Sequence, residues 1–280
     1  MNSKELKLKA ERLLTQPLSI SKKEALEIYE LTIKMLNLGH IRVAEKIDNL
    51  WTVNTWIKQV IILGFKYGEL IEISERQFQN YYDKDTLFLK QLSLINKIRL
   101  VPGGSSIRNG SYLSPGTIVM PPSYINVGAY IDEGVLVDSH VLIGSCAQIG
   151  KNVHISAAAQ IGGVLEPIGA SPVIIEDDVF IGGNSGIYDG TIIQQGAVIG
   201  TGVWLNGSMR VFDNIQNRFI EKTNNHPLII PKNAVVIPGT RPLLSEFGRA
   251  EQIQVYCPVI IKYRDTKTDH NISLESALRD

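Results

Sequence analysis

The sequence predicts a mainly β chain: a parallel β-helix of hexapeptide repeats, entered through an α-helical N-terminal domain and closed by a small C-terminal strand and helix cap. Three observations predict it. An aliphatic residue recurs at every sixth position through the middle of the chain. The residue after it is often glycine. The first hundred residues carry helical spacing instead. These signals set boundaries at 1–100, 101–235 and 236–280.

Within the first segment, Ser21 and Glu24 form a capping-box signature. Ala25, Ile28, Leu31, Met35 and Leu38 follow at near-helical spacing, and Gly39 is a natural stop. A second helix is expected from Asn54, a good N-cap, to Gly68. Another is expected over 3–16, ended at Gln16-Pro17 because the residue before a proline is pushed out of the helical region. Such helices pack; alone they indicate no activity.

The six-residue register reads Ile107, Leu113, Val119, Ile125, Ile131, Val137, Ile143, Ile149, Ile155 and Ile161 without a miss. It slips by two residues before Ile175 and resumes as Ile181, Ile187, Ile193, Ile199, Leu205 and Val211. A helix repeats at 3.6 residues and a strand at 2, so neither gives this pattern. Six residues forming a short strand and a turn do, three such units closing a triangular coil with the aliphatics stacked inside. About seventeen units predict between five and six coils. The slip marks a loop leaving the solenoid at Val164 to Pro172 (VLEPIGASP), and excursions of this kind gather on a binding face. Beyond Val211 the hexads fail. Residues 212–233 read as a polar, Asn-rich loop, Gln252 to Tyr263 as an extended strand, and Ser273 to Asp280 as a short terminal helix. The helical part and the C-terminal strand are expected to cover the open ends of the solenoid.

Lys plus Arg and Asp plus Glu each total 28, so the formal charge is zero and no basic footprint for nucleic acid exists. No apolar run approaches the roughly 18 residues of a membrane span. The opening MNSKELKLKAERLL is charged throughout, unlike a signal peptide, and the expected setting is soluble and cytoplasmic. Cys146 and Cys257 are expected to stay reduced there. The histidines (His40, His140, His154, His226 and His270) form no set with ligand spacing, so no metal is expected.

Several stretches carry a resemblance. Arg42 to Asp48 (RVAEKID), Met120 to Asp138 (MPPSYINVGAYIDEGVLVD), Gly144 to Val153 (GSCAQIGKNV), Gly162 to Pro167 (GGVLEP) and Val255 to Arg264 (VYCPVIIKYR) resemble the tetrahydrodipicolinate N-succinyltransferases of the diaminopimelate and lysine pathway. The likeness runs over nearly the whole chain. Hexads alone would suggest any member of the hexapeptide-repeat acyltransferase superfamily; these strings are more specific. The resemblance implies a left-handed coil and three prisms packed as a homotrimer. It implies succinyl-CoA as co-substrate with no permanently bound cofactor, and an amino dicarboxylate as acceptor.

Arg99, just before Val101-Pro102, matches the family's substrate-binding arginine, and a guanidinium suits bidentate carboxylate binding. Asp138, after Val137, matches its substrate-contacting aspartate. Carboxylates ionise near 3.9 and are weak bases toward ammonium, so holding and orienting the amine is the economical role. Gly200 and Gly202 lie where the family runs its pantetheine groove, and Lys262 and Arg264 are candidates for the CoA phosphates. Some hexapeptide O-acetyltransferases deprotonate with a histidine, which makes His140 a candidate, with a plain turn residue the more economical reading.

Four positions differ from the family pattern. Gly186 stands where some members carry a site glutamate, and Asn184 replaces an arginine two residues before it. His140 replaces a tryptophan, and Ala157-Ala158-Ala159-Gln160 replaces a Gly-rich stretch. Three readings stay open: succinylation of tetrahydrodipicolinate; a paralogous transfer of acetyl or another acyl group to a related amino dicarboxylate; and a non-catalytic trimeric scaffold.

Overall fold

The inward aliphatics dictate the architecture. In this computed structural model, which describes residues 2–15, 20–75, 79–224 and 226–265, the side chains from Val119 through Leu205 at the six-residue positions are almost wholly withdrawn from solvent in one core. Each contributes roughly 1.5–3 kcal/mol relative to exposure. The coil is a left-handed parallel β-helix with three faces. Face 1 begins at Ser106–Ile107 and ends at Trp204–Leu205; face 2 runs from Tyr112–Leu113 to Ile229–Ile230; face 3 runs from Ile118–Val119 to Ala234–Ile237. Every face has six such strands, giving six coils, and Arg99–Leu100 adds one more below face 3.

Corner chemistry follows from the repeat. Three residues past most inward aliphatics the backbone turns into the left-handed region, as at Gly128, Gly134, His140, Cys146, Asn152, Ala158, Asp178 and Asn184. Gly, Asn and Asp tolerate this conformation best.

Helix α1 (Ser3–Leu14), α2 (Lys22–Asn37) and α3 (Thr55–Tyr67) match the helical spacing, and α2 carries the Ser21/Glu24 capping box. Gln16 and Pro17 lie outside the described residues. The N-terminal segment is not all helix: Ala44–Ile47 pairs with Leu50–Val53, and Leu70–Glu75 with Gln79–Lys84. Asp48 and Asn49 both adopt positive φ, which makes the tight two-residue hairpin turn. The first hairpin lies on face 2. Ala44 and Trp51 pack with Ile174, Ile192 and Ile229, and Arg42 sits 3.6 Å above the Tyr130 ring while its Nε donates to Gln148.

The solenoid continues past Val211, contrary to the expectation of a loop over 212–233. Val211–Asp213 and Arg218–Ile220 form a hairpin, after which Ile230 and Val236 resume the inward stack six residues apart. The whole of 206–227 is therefore an excursion. It leaves from the corner between faces 1 and 2, the same corner that releases the 162–173 loop two coils below it, on the far side of Tyr188. Hexad spacing was hidden because the insertion separates its last two units from the rest. The C-terminal strand is broken at Cys257-Pro258 into Gln254–Tyr256 and Val259–Tyr263, and the latter caps face 3 beside Ala234–Ile237. Residues 273–280 lie outside the described residues. Both cysteines are free and buried; burial pushes the Cys146 thiol up to about 12. Among the described residues no helix is long and apolar enough to cross a membrane.

Candidate active site on the corner between faces 3 and 1

One corner column gathers most of the candidate residues. Each strand of face 3 ends where the chain turns toward face 1, so the register Leu136–His154–Phe180–Val198 stacks Asp138, Ser156, Gly182 and Gly200 above one another. At the ~4.8 Å strand spacing, Asp138 and Gly200 are roughly 14 Å apart along the column. The column grows barer as it rises: Ala157-Ala158, then Gly182-Gly183, then Gly200-Thr201-Gly202. A Cβ on Gly182 would stand 2.5 Å from the Thr201 nitrogen, so the coils stack there backbone on backbone. A Cβ on Gly202, at φ +72°, would meet nothing within 4 Å. Gly182 is thus packed between coils, whereas Gly202 leaves bare main chain open to the outside, above a single carboxylate.

Asp138 is held firmly. Its Oδ1 accepts the Ser139 N–H at 2.7 Å, and its carbonyl accepts the Ser123 hydroxyl at 2.8 Å. The first of these is a local contact to the next residue's N–H, also made by Asn126 and Asp132 at other corners. Asp138 differs in the Ser123 link and in facing the bare column. Ser123 is in turn tied to the coil below, its N–H donating to Ser105 Oγ at 3.1 Å. Neither serine belongs to the family strings in a way that marks it, and only the stacking reveals them.

Arg99 lies at the foot of the outer row of face 3, two strand spacings below Leu136, and is exposed. Lys262 stands at the opposite end of that row, beside Val235, roughly 34 Å from Arg99 at the same strand spacing. It pairs with Asp265 at 3.1 Å. Arg264 is not on the glycine column. Its Nη1 donates to the carbonyls of Asp178 and Gly196, which belong to the corner between faces 2 and 3. His140 is exposed at φ 62°, its N–H donating to the Pro122 carbonyl, as a corner residue does.

The glycine at 186 has a structural counterpart that the sequence did not suggest. A Cβ there would lie 2.5 Å from the Tyr188 ring, so Tyr188 covers the position, its hydroxyl donating to Gln160 Oε1 at 2.7 Å. Burial raises the phenol's pKa. The Trp204 ring, half exposed, stands 6.3 Å from Tyr188.

A family model described as "Tetrahydrodipicolinate N-succinyltransferase N-terminal" matches residues 9–67, and one described as "Hexapeptide repeat of succinyl-transferase" matches 172–206. Among curated relatives, a 2,3,4,5-tetrahydropyridine-2,6-dicarboxylate N-succinyltransferase of Wolbachia sp. subsp. Brugia malayi is 42% identical over 92% of this chain and 91% of its own length. That of Ehrlichia ruminantium is 42% identical over 88% of this chain and 85% of its own length. That of Buchnera aphidicola is 39% identical over 89% and 87%. Matched at this level from the N-terminal helices to the last coils, the chain belongs to the 2,3,4,5-tetrahydropyridine-2,6-dicarboxylate N-succinyltransferase family.

Proposed function

We propose that this protein transfers the succinyl group of succinyl-CoA to the nitrogen of tetrahydrodipicolinate, a step of the diaminopimelate and lysine pathway. The observation that carries the reading is the column itself: an anchored carboxylate, Asp138, at the base of a stack that rises through Gly182 and Gly200 to the open main chain at Gly202. Relatives named for this reaction match nine-tenths of the chain.

The roles follow from charge and shape. Arg99 binds an acceptor carboxylate. Asp138 Oδ2, which accepts no hydrogen bond among the described residues, orients the acceptor nitrogen. Tetrahydrodipicolinate is a cyclic imine without an N–H, so water first adds across its C=N bond. The neutral amine nitrogen so formed attacks the thioester carbonyl, the C–N bond forms, and the C–S bond breaks. The nitrogen loses a proton and the departing CoA sulfur gains one, leaving an amide and free thiol. Main-chain N–H groups at the corner support the developing oxyanion. The pantetheine arm lies along the glycine strip, and Lys262, beyond its upper end, meets the CoA phosphates; Arg264, directed to the other corner, contributes through the local field. No permanently bound cofactor is required.

The protein acts as a homotrimer in this reading, supported by the largely apolar outer row of face 3, where Ile118, Leu136, His154, Phe180 and Val198 stand in sequence. A second reading, transfer of acetyl in place of succinyl, draws on Tyr188 filling the space over Gly186. Mass spectrometry of the product formed from tetrahydrodipicolinate and an equimolar mixture of succinyl-CoA and acetyl-CoA tests both. The succinyl adduct alone supports the first reading, the acetyl adduct the second, and no adduct a scaffold.

A further inference from the structure

A large concavity of the described residues lies off the glycine column. A cleft of about 1020 Å³ opens between α2, the Leu70–Lys84 hairpin and the first coil, and neither Arg99 nor Asp138 lines it. Its wall is fixed by main-chain pairing: Lys90 N–H donates to the Ile107 carbonyl and Asn109 N–H to that of Phe88. Two cations line it. Arg108 is half-buried, its Nη1 donating to Asp83 at 2.6 Å and to the Leu87 carbonyl, its Nε to Tyr124. Its Nη2 donates to no atom among the described residues.

Lys90 is in a different state. Its Nζ donates to Asn37 Oδ1 at 2.6 Å and to the Ser111 carbonyl at 2.9 Å, both neutral acceptors, and among the described residues no carboxylate pairs with it. Burial pulls its pKa down to about 8, as expected of a cation withdrawn from water without a counter-charge. The other titratable groups lining the cleft are Asp83, Arg108, Tyr81, Tyr82 and Tyr124. Asp83 is spent on Arg108, so the cleft holds one net positive charge, and an ammonium placed this way leaves a donor and a charge for a ligand. Around it the lining is apolar and exposed: Leu38, Tyr82, Phe88 and Leu89.

We infer that this cleft is a second ligand site, taking a small carboxylate with an apolar body, its carboxylate between Lys90 and Arg108 and its body against Phe88 and Leu38. Both halves of the ligand are specified by the lining. A carboxylate neutralises Lys90 and meets the open Nη2 of Arg108, and an alkyl body covers surface that water now wets. A bare inorganic anion would satisfy only the first.

Hexanoate is the probe, titrated calorimetrically into the full chain, with acetate, phosphate and hexylammonium as comparators. Saturable hexanoate binding is expected, with Kd at least ~10-fold weaker in Lys90→Met, as for loss of one charge-assisted hydrogen bond. Lys90→Arg should keep most of the affinity, and Arg99→Ala all of it. Phe88→Ala, at a half-exposed position, should weaken hexanoate but not acetate. Lys90→Arg and Phe88→Ala decide the matter if Lys90→Met fails to fold. Absence of saturable hexanoate binding overturns the assignment. So does unchanged affinity in a folded Lys90→Met, phosphate binding as tightly as hexanoate, or hexylammonium binding equally well.

Discussion

The Ser123 hydroxyl donates to the main-chain carbonyl of Asp138 at 2.8 Å, across the step between two successive coils. With the Ser139 N–H on Oδ1, this fixes the Asp138 carboxylate on the corner from which the glycine strip rises. Asp138→Ala is expected to lower kcat/KM on the order of 10²-fold, the usual loss when an orienting group is removed. Ser123→Ala loosens the corner without removing the carboxylate, so its loss should be smaller, about 10-fold. Steady-state thiol release on folded variants checks both, and equal losses would contradict the division of roles.

Arg99 stands two strand spacings from the rung that carries Asp138 and far from Lys262. Arg99→Ala should therefore raise KM for the acceptor by about 10- to 100-fold, the range for loss of a hydrogen bond to a charged group. The KM for acyl-CoA should stay within about 2-fold on the same grounds. A comparable rise in both would remove Arg99 from the acceptor site.

Ala158 adopts φ 59° at a corner where glycine would be unstrained. Relief of a left-handed alanine should outweigh the added freedom of the unfolded chain, so Ala158→Gly is expected to stabilise the fold by about 0.5–1 kcal/mol. Gly202→Ala, at φ +72°, should destabilise it by about 1 kcal/mol. It should also weaken acyl-CoA binding, because its new methyl projects into the open strip. Thermal melts and donor titration separate the two effects.

Glu176 holds the first hairpin to face 2 through Lys46 and the Trp51 indole. Burial acts to raise its pKa, but hydrogen bonds from Lys46, Trp51 and the Gln195 N–H outweigh it and hold the carboxyl below the usual value. A folded pKa below the unfolded one, about 4.3, contributes stability at higher pH that is lost as pH falls through the folded value. Glu176→Gln should lower stability at neutral pH and flatten the decline below pH ~4.5 relative to wild type. Denaturant melts from pH 3 to 7 show it; parallel curves for the two proteins would contradict the assignment.

The solenoid was legible because its signal is periodic. An inward aliphatic every six residues has one structural solution, and the two-residue slip before Ile175 announced the 162–173 excursion. Ile230 and Val236 obey the same rule, but 206–227 interrupts it, and two isolated hits carry no period. The hairpin over 44–53 was readable locally in Asp48-Asn49; helical spacing on either side obscured it. Asp138 and Arg99 were found through family strings, whereas Ser123 and Ser105 gain meaning only when six-residue units are stacked in register. The Tyr188 hydroxyl on Gln160 is likewise a contact between coils that spacing does not encode. Arg264 looked like a phosphate ligand from its position near Lys262, and only the fold directs it to the opposite corner.

The most direct measurement compares kcat/KM for succinyl-CoA and acetyl-CoA by thiol release, with tetrahydrodipicolinate as acceptor and Asp138→Ala alongside. A clear preference for succinyl-CoA is expected in the wild type, with a loss of that turnover in the variant. Preference for acetyl-CoA, or turnover indifferent to Asp138, would contradict the proposed function.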